Sequence, residues 1–369
     1  MLNRLANLIK KEFLSLLQDR QSRMQLLLMP IVMLFIFSFA MTMEVKNASL
    51  GILNEDDGDL GTRFARTFEP GPTYSKITAF QSLSQMKNAI DAQQVLMVVH
   101  IPKDFSKNLT SGASATVQTI LDGRKSNAAQ IVNGYAALIA NRFAEEIYKN
   151  RATGGTAPEI ELRHLFNPNL EFSWFNQPML LILLTQMIVL TITGLSIAKE
   201  RELGTFEQLL VSPLAPAEIV LGKTVPGVLL GLAEALFIFT LSIGIFKVPF
   251  VGSFALLTWM MFLFILSTSA IGLAISSVCG TQQQAFLGTS LFMVPSMLLS
   301  GFVAPVENMP LFLQWLTQLN PTKHALIVVM GIYLKDLSIR DVWGEMLWMT
   351  GIAAGSLLLA SWFFKRHAE

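Results

Sequence analysis

The chain has 369 residues, of which 52% are hydrophobic and only 14% are charged, and its mean hydropathy is +0.50. A soluble domain with this balance would aggregate, so the composition predicts a membrane protein. The formal net charge of +1 argues against a nucleic-acid-binding protein, which would carry a basic face. One cysteine, Cys279, excludes an internal disulfide.

The N-terminal part predicts an interfacial helix followed by a membrane span. In residues 1–23, apolar side chains recur at helical spacing opposite polar ones, so we expect a cytoplasmic amphipathic helix on the inner leaflet. Residues 24–43 carry no charge and are long enough to cross a hydrocarbon core about 30 Å thick. The basic residues before this span, Arg20 and Arg23 among them, place the N-terminus in the cytoplasm.

Residues 44–172 have the composition of a water-soluble domain, and they lie outside the cytoplasm if the first span crosses the membrane. Strand and helix patterns alternate here, which predicts a small α/β domain. Strands are expected at 49–53, 74–80, 95–101 and 115–121, with a last strand at 159–165, and helices near 60–68, 82–92 and 127–149.

Five further apolar segments complete a six-span topology. They are residues 173–198, 218–246, 254–279, 285–302 and 345–364. The fold class is therefore an α-helical polytopic membrane protein of six transmembrane helices, with the α/β extracytoplasmic domain inserted between the first and second. The tail at 365–369 contains Lys365 and Arg366 and falls in the cytoplasm, as the positive-inside rule requires.

A charged segment, residues 199–217, separates the second and third spans. Apolar runs flank it on both sides, so it must lie at the cytoplasmic membrane surface. Gly204 and Thr205 offer a capping point, and Pro213 and Pro216 stop the helix before the next span. A short charged helix attached to two spans can act as a lever.

Residues 303–341 predict external re-entrant helices and a loop. Prolines interrupt the chain, and Phe312, Trp315 and Leu316 would share one apolar face of a helix. We expect this region to lie at the outer leaflet and to help close an exit path. The candidate gate residues are Pro305, Glu307, Asn308, Trp315, Asn320 and Pro321.

Few residues suggest chemistry. The end of a phosphate-binding loop is resembled by Gly222, Lys223 and Thr224, but Ala217 stands where that loop needs a glycine, so no ATP site is expected. We expect the Lys223 side chain instead to snorkel to the cytoplasmic surface. The four histidines lack metal-ligand spacing, and no catalytic constellation or metal site is expected.

Glu234 is the clear acidic residue within a predicted span, and it follows Gly227 and Gly231, a spacing that allows close helix approach. It either contacts substrate or a proton in a polar cavity, or is a hydrogen-bonded structural residue against a helix or a subunit interface. The sequence leaves both interpretations open.

Three stretches resemble one known family. They are AKERELGTFEQLLVSPL from residue 198, LLSGFVAPVENMPLFLQWLTQLNPTKHALIVVMGIYLKD from residue 298, and LDGRKSN from residue 121. Together with six spans and a large outer domain, they resemble the ABC-2 type permeases of ABC exporters, and in particular the YbhR-like multidrug-efflux permeases of Gram-negative inner membranes. The resemblance covers nearly the whole chain.

The resemblance implies a half-transporter that works with a separate ABC ATPase and with a second permease, either identical or paralogous. ATP and magnesium are then expected on the ATPase, with no cofactor and no enzymatic activity in this chain. Residues 199–217 correspond to the coupling helix that docks on the ATPase, and the docking candidates are Glu200, Arg201, Glu202, Gly204, Thr205, Glu207 and Gln208.

Cargo and further partners are less defined. An apolar lining favours a hydrophobic or amphiphilic cargo, drug-like or lipid-like. Besides membrane lipids, a periplasmic adaptor protein is a candidate partner because the outer domain is large. The alternative is a membrane-anchored periplasmic receptor or assembly scaffold that transports nothing.

Overall fold

The structure is a computed structural model that describes residues 2–40, 48–70, 74–151, 167, 171–211 and 214–366. The chain divides into two compact units. The first unit comprises Met1–Met41 and His164–Glu369, and the second comprises Thr42–Arg163. The predicted strand at 159–165 and the terminal residues 367–369 lie outside the described residues.

The second unit is built on a four-stranded sheet with the order β2-β1-β3-β4. Its strands are β1 (Ala48–Asn54), β2 (Tyr74–Phe80), β3 (Met97–Ile101) and β4 (Gln118–Leu121). β1 is parallel to both β2 and β3, while β4 is antiparallel to β3. The parallel strands are joined by helices, as crossover connections require.

Four helices accompany this sheet: α3 (Asp59–Arg66), α4 (Leu83–Asp91), α5 (Phe105–Ser111) and α6 (Ser126–Arg151). Rings from three of them meet in the core, where the centroids of Phe64 and Phe143 are 5.1 Å apart and those of Phe64 and Phe105 are 5.5 Å apart. Leu50 and Met97 are fully buried from the sheet side. The unit thus has a hydrophobic core of its own.

The first unit is helical. Its helices are α1 (Leu2–Gln18), α2 (Arg20–Ala40), α7 (Phe172–Glu202), α8 (Phe206–Leu210), α9 (Pro216–Gly244), α10 (Phe254–Val278), α11 (Gln282–Leu298), α12 (Leu311–Thr317), α13 (Pro321–Lys335) and α14 (Ile339–Arg366). The amphipathic α1 packs directly on α9. The side chain of Leu8 lies so close to Gly222 that a Cβ added at this glycine would collide with it.

Four of these helices, α7, α9, α10 and α14, are long and apolar enough to cross a membrane. The predicted first and fifth spans fall on α2 and α11. The apolar stretch of α2 covers only Leu28–Phe39, and α11 has 17 residues, about 25 Å at 1.5 Å per residue. The protein is therefore a polytopic helical membrane protein, and the six-span count stays a prediction.

Gly227 and Gly231 of α9 allow close packing against α7. A Cβ added at Gly227 would lie 2.6 Å from Cγ2 of Thr193, and one added at Gly231 would collide with Val189. The close helix approach expected from this glycine pair is confirmed.

The segment before the last span contains three short elements. A 3-10 turn at Val306–Asn308 and α12 are largely exposed, whereas α13 is buried, with Val328 and Tyr333 fully inaccessible. α13 is apolar around its circumference, which is the pattern of a helix enclosed by others. α14 begins at Ile339, six residues before the predicted start of the last span.

Candidate functional site

The predicted charged helix at 199–217 is not one helix, which corrects its expected form. α7 continues to Glu202, and Gly204 follows it with a φ of +72°, in the left-handed region. The amide of Thr205 donates to the Glu200 carbonyl at 2.9 Å and that of Gly204 to the Arg201 carbonyl at 3.1 Å, the two bonds of a Schellman cap. The five-residue α8 follows as a separate element.

The seven docking candidates occupy different environments. Glu202, Gly204, Glu207 and Gln208 are exposed, and Thr205 is half-buried. The Glu202 carboxylate already accepts a hydrogen bond at 2.7 Å from the Gln282 amide in the first turn of α11, where negative charge is favourable.

Arg201 and Glu200 face the protein instead. The Arg201 guanidinium is half-buried, donates to the Cys279 carbonyl at 3.0 Å and lies over the Phe206 ring. Glu200 is only 7% exposed, so its carboxylate does not belong to the exposed surface on which docking was expected.

Glu200 instead belongs to an ion cluster of Lys11, Glu12, Glu200 and Lys223, which joins α1, α7 and α9. The Lys223 ammonium lies 3.0 Å from Oε1 of Glu12 and 3.2 Å from Oε1 of Glu200. The Lys11 ammonium lies 2.7 Å from the same Glu200 oxygen and 3.3 Å from Glu12. Two cations and two anions therefore compensate one another where three helices meet.

The expectation that Lys223 snorkels to the surface is wrong. Its side chain is fully buried, and its ammonium also lies 3.4 Å from the Ser196 hydroxyl. Glu12 on α1 and Glu200 on α7 compensate the charge inside the protein, so the ammonium does not need to reach water. No local sequence signal indicates this pairing, because Lys223 and Glu12 are 211 residues apart.

The cluster shifts the pKa values of its two residues on α1. Burial acts to raise the pKa of the Glu12 carboxyl, but the ammonium groups of Lys223 and Lys11 outweigh burial and lower it below 4.5. Burial acts to lower the pKa of Lys11, but its hydrogen bond to Glu200 and the nearby carboxylates raise it above 10.5. The structure thus favours the charged form of both groups.

A cavity of 820 Å³ opens beside this cluster and is lined by parts of α1, α2, α7, α9 and α11. One end carries the cluster together with Asp19 and Lys199, which form an ion pair at 3.5 Å. The remaining wall is mostly apolar and includes Phe286 and Met293. From the sequence these two residues read as lipid-facing or packing residues, because nothing local shows that α1 and α2 face them.

A buried polar network joins α7, α11 and α13. The Ser296 hydroxyl accepts from the Gln186 amide at 3.0 Å and lies 2.7 Å from both Oδ1 of Asn320 and the Thr322 hydroxyl. Thr322 in turn donates to Oε1 of Gln186 at 3.0 Å. Among the gate candidates, Asn320 and the adjacent Pro321 therefore lie inside the bundle.

The other gate candidates, Pro305, Glu307, Asn308 and Trp315, are exposed. Trp315 is 76% exposed on α12, next to Phe312 at 69%, so the expected apolar face is present and no described side chain covers it. Its position at the outer leaflet stays a prediction.

Glu234 is buried in α9, and neither carboxylate oxygen has a hydrogen-bond partner among the residues that the structure describes. It does not line the 820 Å³ cavity. Within the same described part of the chain, no group of three or more His, Cys, Asp or Glu side chains could hold a metal ion.

These features define a helical membrane protein with an amphipathic cavity. The family model for ABC-2 family transporter proteins matches residues 22–362. The probable multidrug ABC transporter permease YbhR of Escherichia coli (strain K12) is 39% identical over 366 residues, which is 99% of each chain. The probable multidrug ABC transporter permease YbhS of the same strain is 28% identical over 90% of this chain and 88% of its own length. The inner membrane transport permease YhhJ is 27% identical over 99% of this chain and 98% of its own.

The chain belongs to the ABC-2 transporter family. It is the transmembrane permease subunit of an ABC exporter, and ATP is hydrolysed by a separate ATPase subunit. This membership favours the permease over the receptor or scaffold.

Proposed function

We propose that this permease exports hydrophobic or amphiphilic compounds, drug-like or lipid-like, out across the bacterial inner membrane. The observation that carries the proposal is the 820 Å³ cavity, which combines a mostly apolar wall with one charged end. Its volume lies within the range of about 300–1,000 Å³ that is usual for small-molecule sites. The names of the relatives YbhR and YbhS as multidrug permeases are in keeping with such cargo.

The proposed topology follows from charge distribution. The basic N-terminal flank and the basic residues near the end of α14 place both termini in the cytoplasm, and the α/β unit is then periplasmic. A periplasmic domain of this size could receive an adaptor protein. The exposed apolar face of α12 would lie at the outer leaflet, next to the exit path.

The segment between α7 and α9 is the proposed docking site for the ATPase, which supplies ATP and magnesium. This segment connects α7 and α9, which are both long enough to span the membrane. Its residues Gly204, Glu207 and Gln208 are exposed. A second permease, identical or paralogous, completes the transporter.

Charge reversal of Glu207 tests the docking proposal better than charge reversal of Glu202, because Glu202 also caps α11. Glu207→Lys should weaken association with the ATPase by about 1 kcal/mol, roughly five-fold, through repulsion or loss of attraction at the interface. Co-purification and export of a fluorescent amphiphile should fall together.

The matched control is Glu145→Lys, the same change at an exposed position on α6. Glu145→Lys should leave both co-purification with the ATPase and export of the fluorescent amphiphile unchanged. If Glu207→Lys retains full ATPase association and full export, α8 is not the docking site. If the wild-type complex hydrolyses ATP but moves no hydrophobic or amphiphilic probe, the proposed cargo class is wrong.

A further inference from the structure

The last turn of α7 begins where α10 holds the helix. Ser276 of α10 is fully buried, and its hydroxyl oxygen accepts hydrogen bonds from two successive amides of α7, that of Ile197 at 3.0 Å and that of Ala198 at 3.1 Å. A side chain that enters the hydrogen-bond ladder of a helix is a recognised cause of bending. The cytoplasmic end of α7 is therefore held by α10 as well as by its own ladder, just before the segment on which docking is proposed.

The final two residues of α7 fasten it to the connection between α10 and α11. Arg201 donates from Nη1 to the carbonyl of Cys279 at 3.0 Å, at the carboxyl end of α10. Oε2 of Glu202 accepts at 2.7 Å from the amide of Gln282, the first residue of α11. Each charge has the sign that the adjacent helix terminus favours, positive at the end of α10 and negative at the start of α11. Both contacts therefore hold the end of α7 to this connection.

The connection is short and has hydrogen bonds of its own. It consists of residues 279–281. The hydroxyl of Thr281 accepts from the amide of Gln284 at 3.3 Å, and the side-chain oxygen of Gln284 accepts from the amide of Gly280 at 3.0 Å. Because the connection is tied in this way, it should transmit a displacement instead of absorbing it. A displacement of the end of α7 would then reach α11, which contributes Ser290 to the cavity wall.

From these contacts we propose that the α10–α11 connection passes the movement of the docked ATPase to the α11 wall of the cavity. Arg201 and Glu202 are positioning residues in this proposal, because they hold α11 to the end of α7 and do not bind the ATPase. The inference rests on the proposed docking of the ATPase after α7, and it gives two of the docking candidates predicted from the sequence a different task.

Gln282→Pro removes the link between Glu202 and α11 with little change to the fold. Proline is favoured at the first position of a helix, where its missing N–H has no partner within the helix. It also requires an extended residue before it, and Thr281 already has a φ of -132° and a ψ of 157°. The substitution thus deletes the amide from which Glu202 accepts. Gln282→Ala loses the same side chain but retains the amide, so it is the matched control.

The response of α11 is measured with a label that does not depend on cargo. Bimane is attached to Ser290→Cys in a Cys279→Ser background, which keeps the carbonyl that Arg201 contacts. Its fluorescence is followed when ATP is added to the permease–ATPase complex in lipid nanodiscs. We expect ATP to change the fluorescence in this background and in Gln282→Ala, and we expect Gln282→Pro to lose most of the change. The amount of co-purified ATPase should be the same in the two Gln282 variants.

Export supplies a second measurement. The amount of fluorescent amphiphile exported per ATP hydrolysed should be about ten-fold lower in Gln282→Pro than in Gln282→Ala, the factor that corresponds to one hydrogen bond to a charged group. Glu202→Ala removes the same bond from the other side, so the double variant with Gln282→Pro should be no worse than either single variant. Glu202→Gln, which retains an acceptor oxygen, should recover most of the export that Glu202→Ala loses.

An equal fluorescence change in Gln282→Pro and Gln282→Ala, or no change in a background complex that hydrolyses ATP, would overturn the proposal. So would a loss of co-purified ATPase in Glu202→Ala but not in Gln282→Pro, because Glu202 would then belong to the docking surface. The label reports movement without cargo, so failure of this proposal is distinct from failure of the export proposal. A response of α11 without export of any hydrophobic or amphiphilic probe rejects only the cargo class, and export by a complex whose α11 does not respond rejects only the linkage.

Discussion

Replacement of Lys223 by Met tests whether the buried ion cluster holds the N-terminal helix against the bundle. Met has nearly the same length and is apolar, so the substitution removes the charge and leaves packing largely intact. Glu12 and Glu200 would then be compensated by Lys11 alone.

The expected cost follows from the geometry. Two charge pairs at 3.0 and 3.2 Å are lost, each about 5 kcal/mol in gross Coulomb energy at an effective dielectric constant of 20. The desolvation of Lys223, several kcal/mol, opposes them. Removal of one partner of a buried pair usually costs about 3–5 kcal/mol, and because Lys11 remains close we expect the lower end, about 3 kcal/mol.

Thermal unfolding of the purified permease in detergent is the assay. A loss of about 3 kcal/mol should lower Tm by about 6–12 °C for a unit of this size. The matched control is Lys199→Met, which removes an ammonium group paired at 3.5 Å with both side chains more than one third exposed. It should cost no more than about 1 kcal/mol.

Combining Lys223→Met with Glu12→Gln and Glu200→Gln should recover most of the stability, because no buried charge is then left without a partner. Equal destabilisation by Lys223→Met and Lys199→Met, or a triple variant as unstable as the single one, would refute this reasoning.

The same cluster predicts a dependence of stability on pH. Because the pKa of Glu12 is lowered in the folded protein, its stabilising contribution is complete above the ordinary value of 4.5 and is lost as the pH falls below it. The contribution of Lys11, whose pKa is raised, is complete below 10.5 and is lost as the pH rises through the folded value. As the pH falls below 4.5 and as it rises above 10.5, Tm should decline more steeply in the wild type than in Glu12→Gln. Parallel curves of Tm against pH for the two proteins would exclude this linkage.

Three further predictions concern other parts of the chain. Gly231→Val should destabilise the protein by about 1–3 kcal/mol, because its side chain collides with α7, whereas Gly244→Ala, with nothing within 4 Å of the added Cβ, should be nearly neutral in the same melting assay. Glu234→Gln should leave export nearly unchanged if the residue is structural, since the amide has nearly the same size and no hydrogen bond of the carboxylate to a described residue is lost; loss of export with normal expression would favour the functional interpretation. With the native cysteine replaced, an impermeant thiol reagent added from outside should label Asn308→Cys readily and Trp315→Cys poorly. Both side chains are exposed in the structure, so equal labelling would place α12 in water.

Helices and strands with strong local signals could be located well from the sequence. α10 runs over residues 254–278 against a predicted span of 254–279, and β2 occupies the predicted residues 74–80. Uninterrupted hydrophobic runs and alternating patterns determine such elements locally. The short α5 was not predicted, because seven residues provide too little periodicity to distinguish a helix from a loop.

The candidate site was predicted only in part. The charged segment at 199–217 was located, but its residues face in different directions: Glu207 is exposed, while Glu200 turns inward to Lys11 on α1, which is 189 residues away. The cavity shows the same limit, since Phe286 and Met293 line it only because distant helices enclose the space in front of them. Hydropathy reports whether a side chain avoids water and does not report which neighbour it meets.

Glu200 links the turn before α8 to the helices α1 and α9. Its carbonyl accepts the Thr205 amide that fixes the turn before α8, and its carboxylate holds Lys11 on α1 and Lys223 on α9. One residue therefore connects the exposed turn to two other helices that border the cavity. If the ATPase docks on α8 as proposed, a displacement of α8 would reach Glu200 through the turn at Thr205, and Glu200 would transmit it to the two helices that its carboxylate holds beside the cavity.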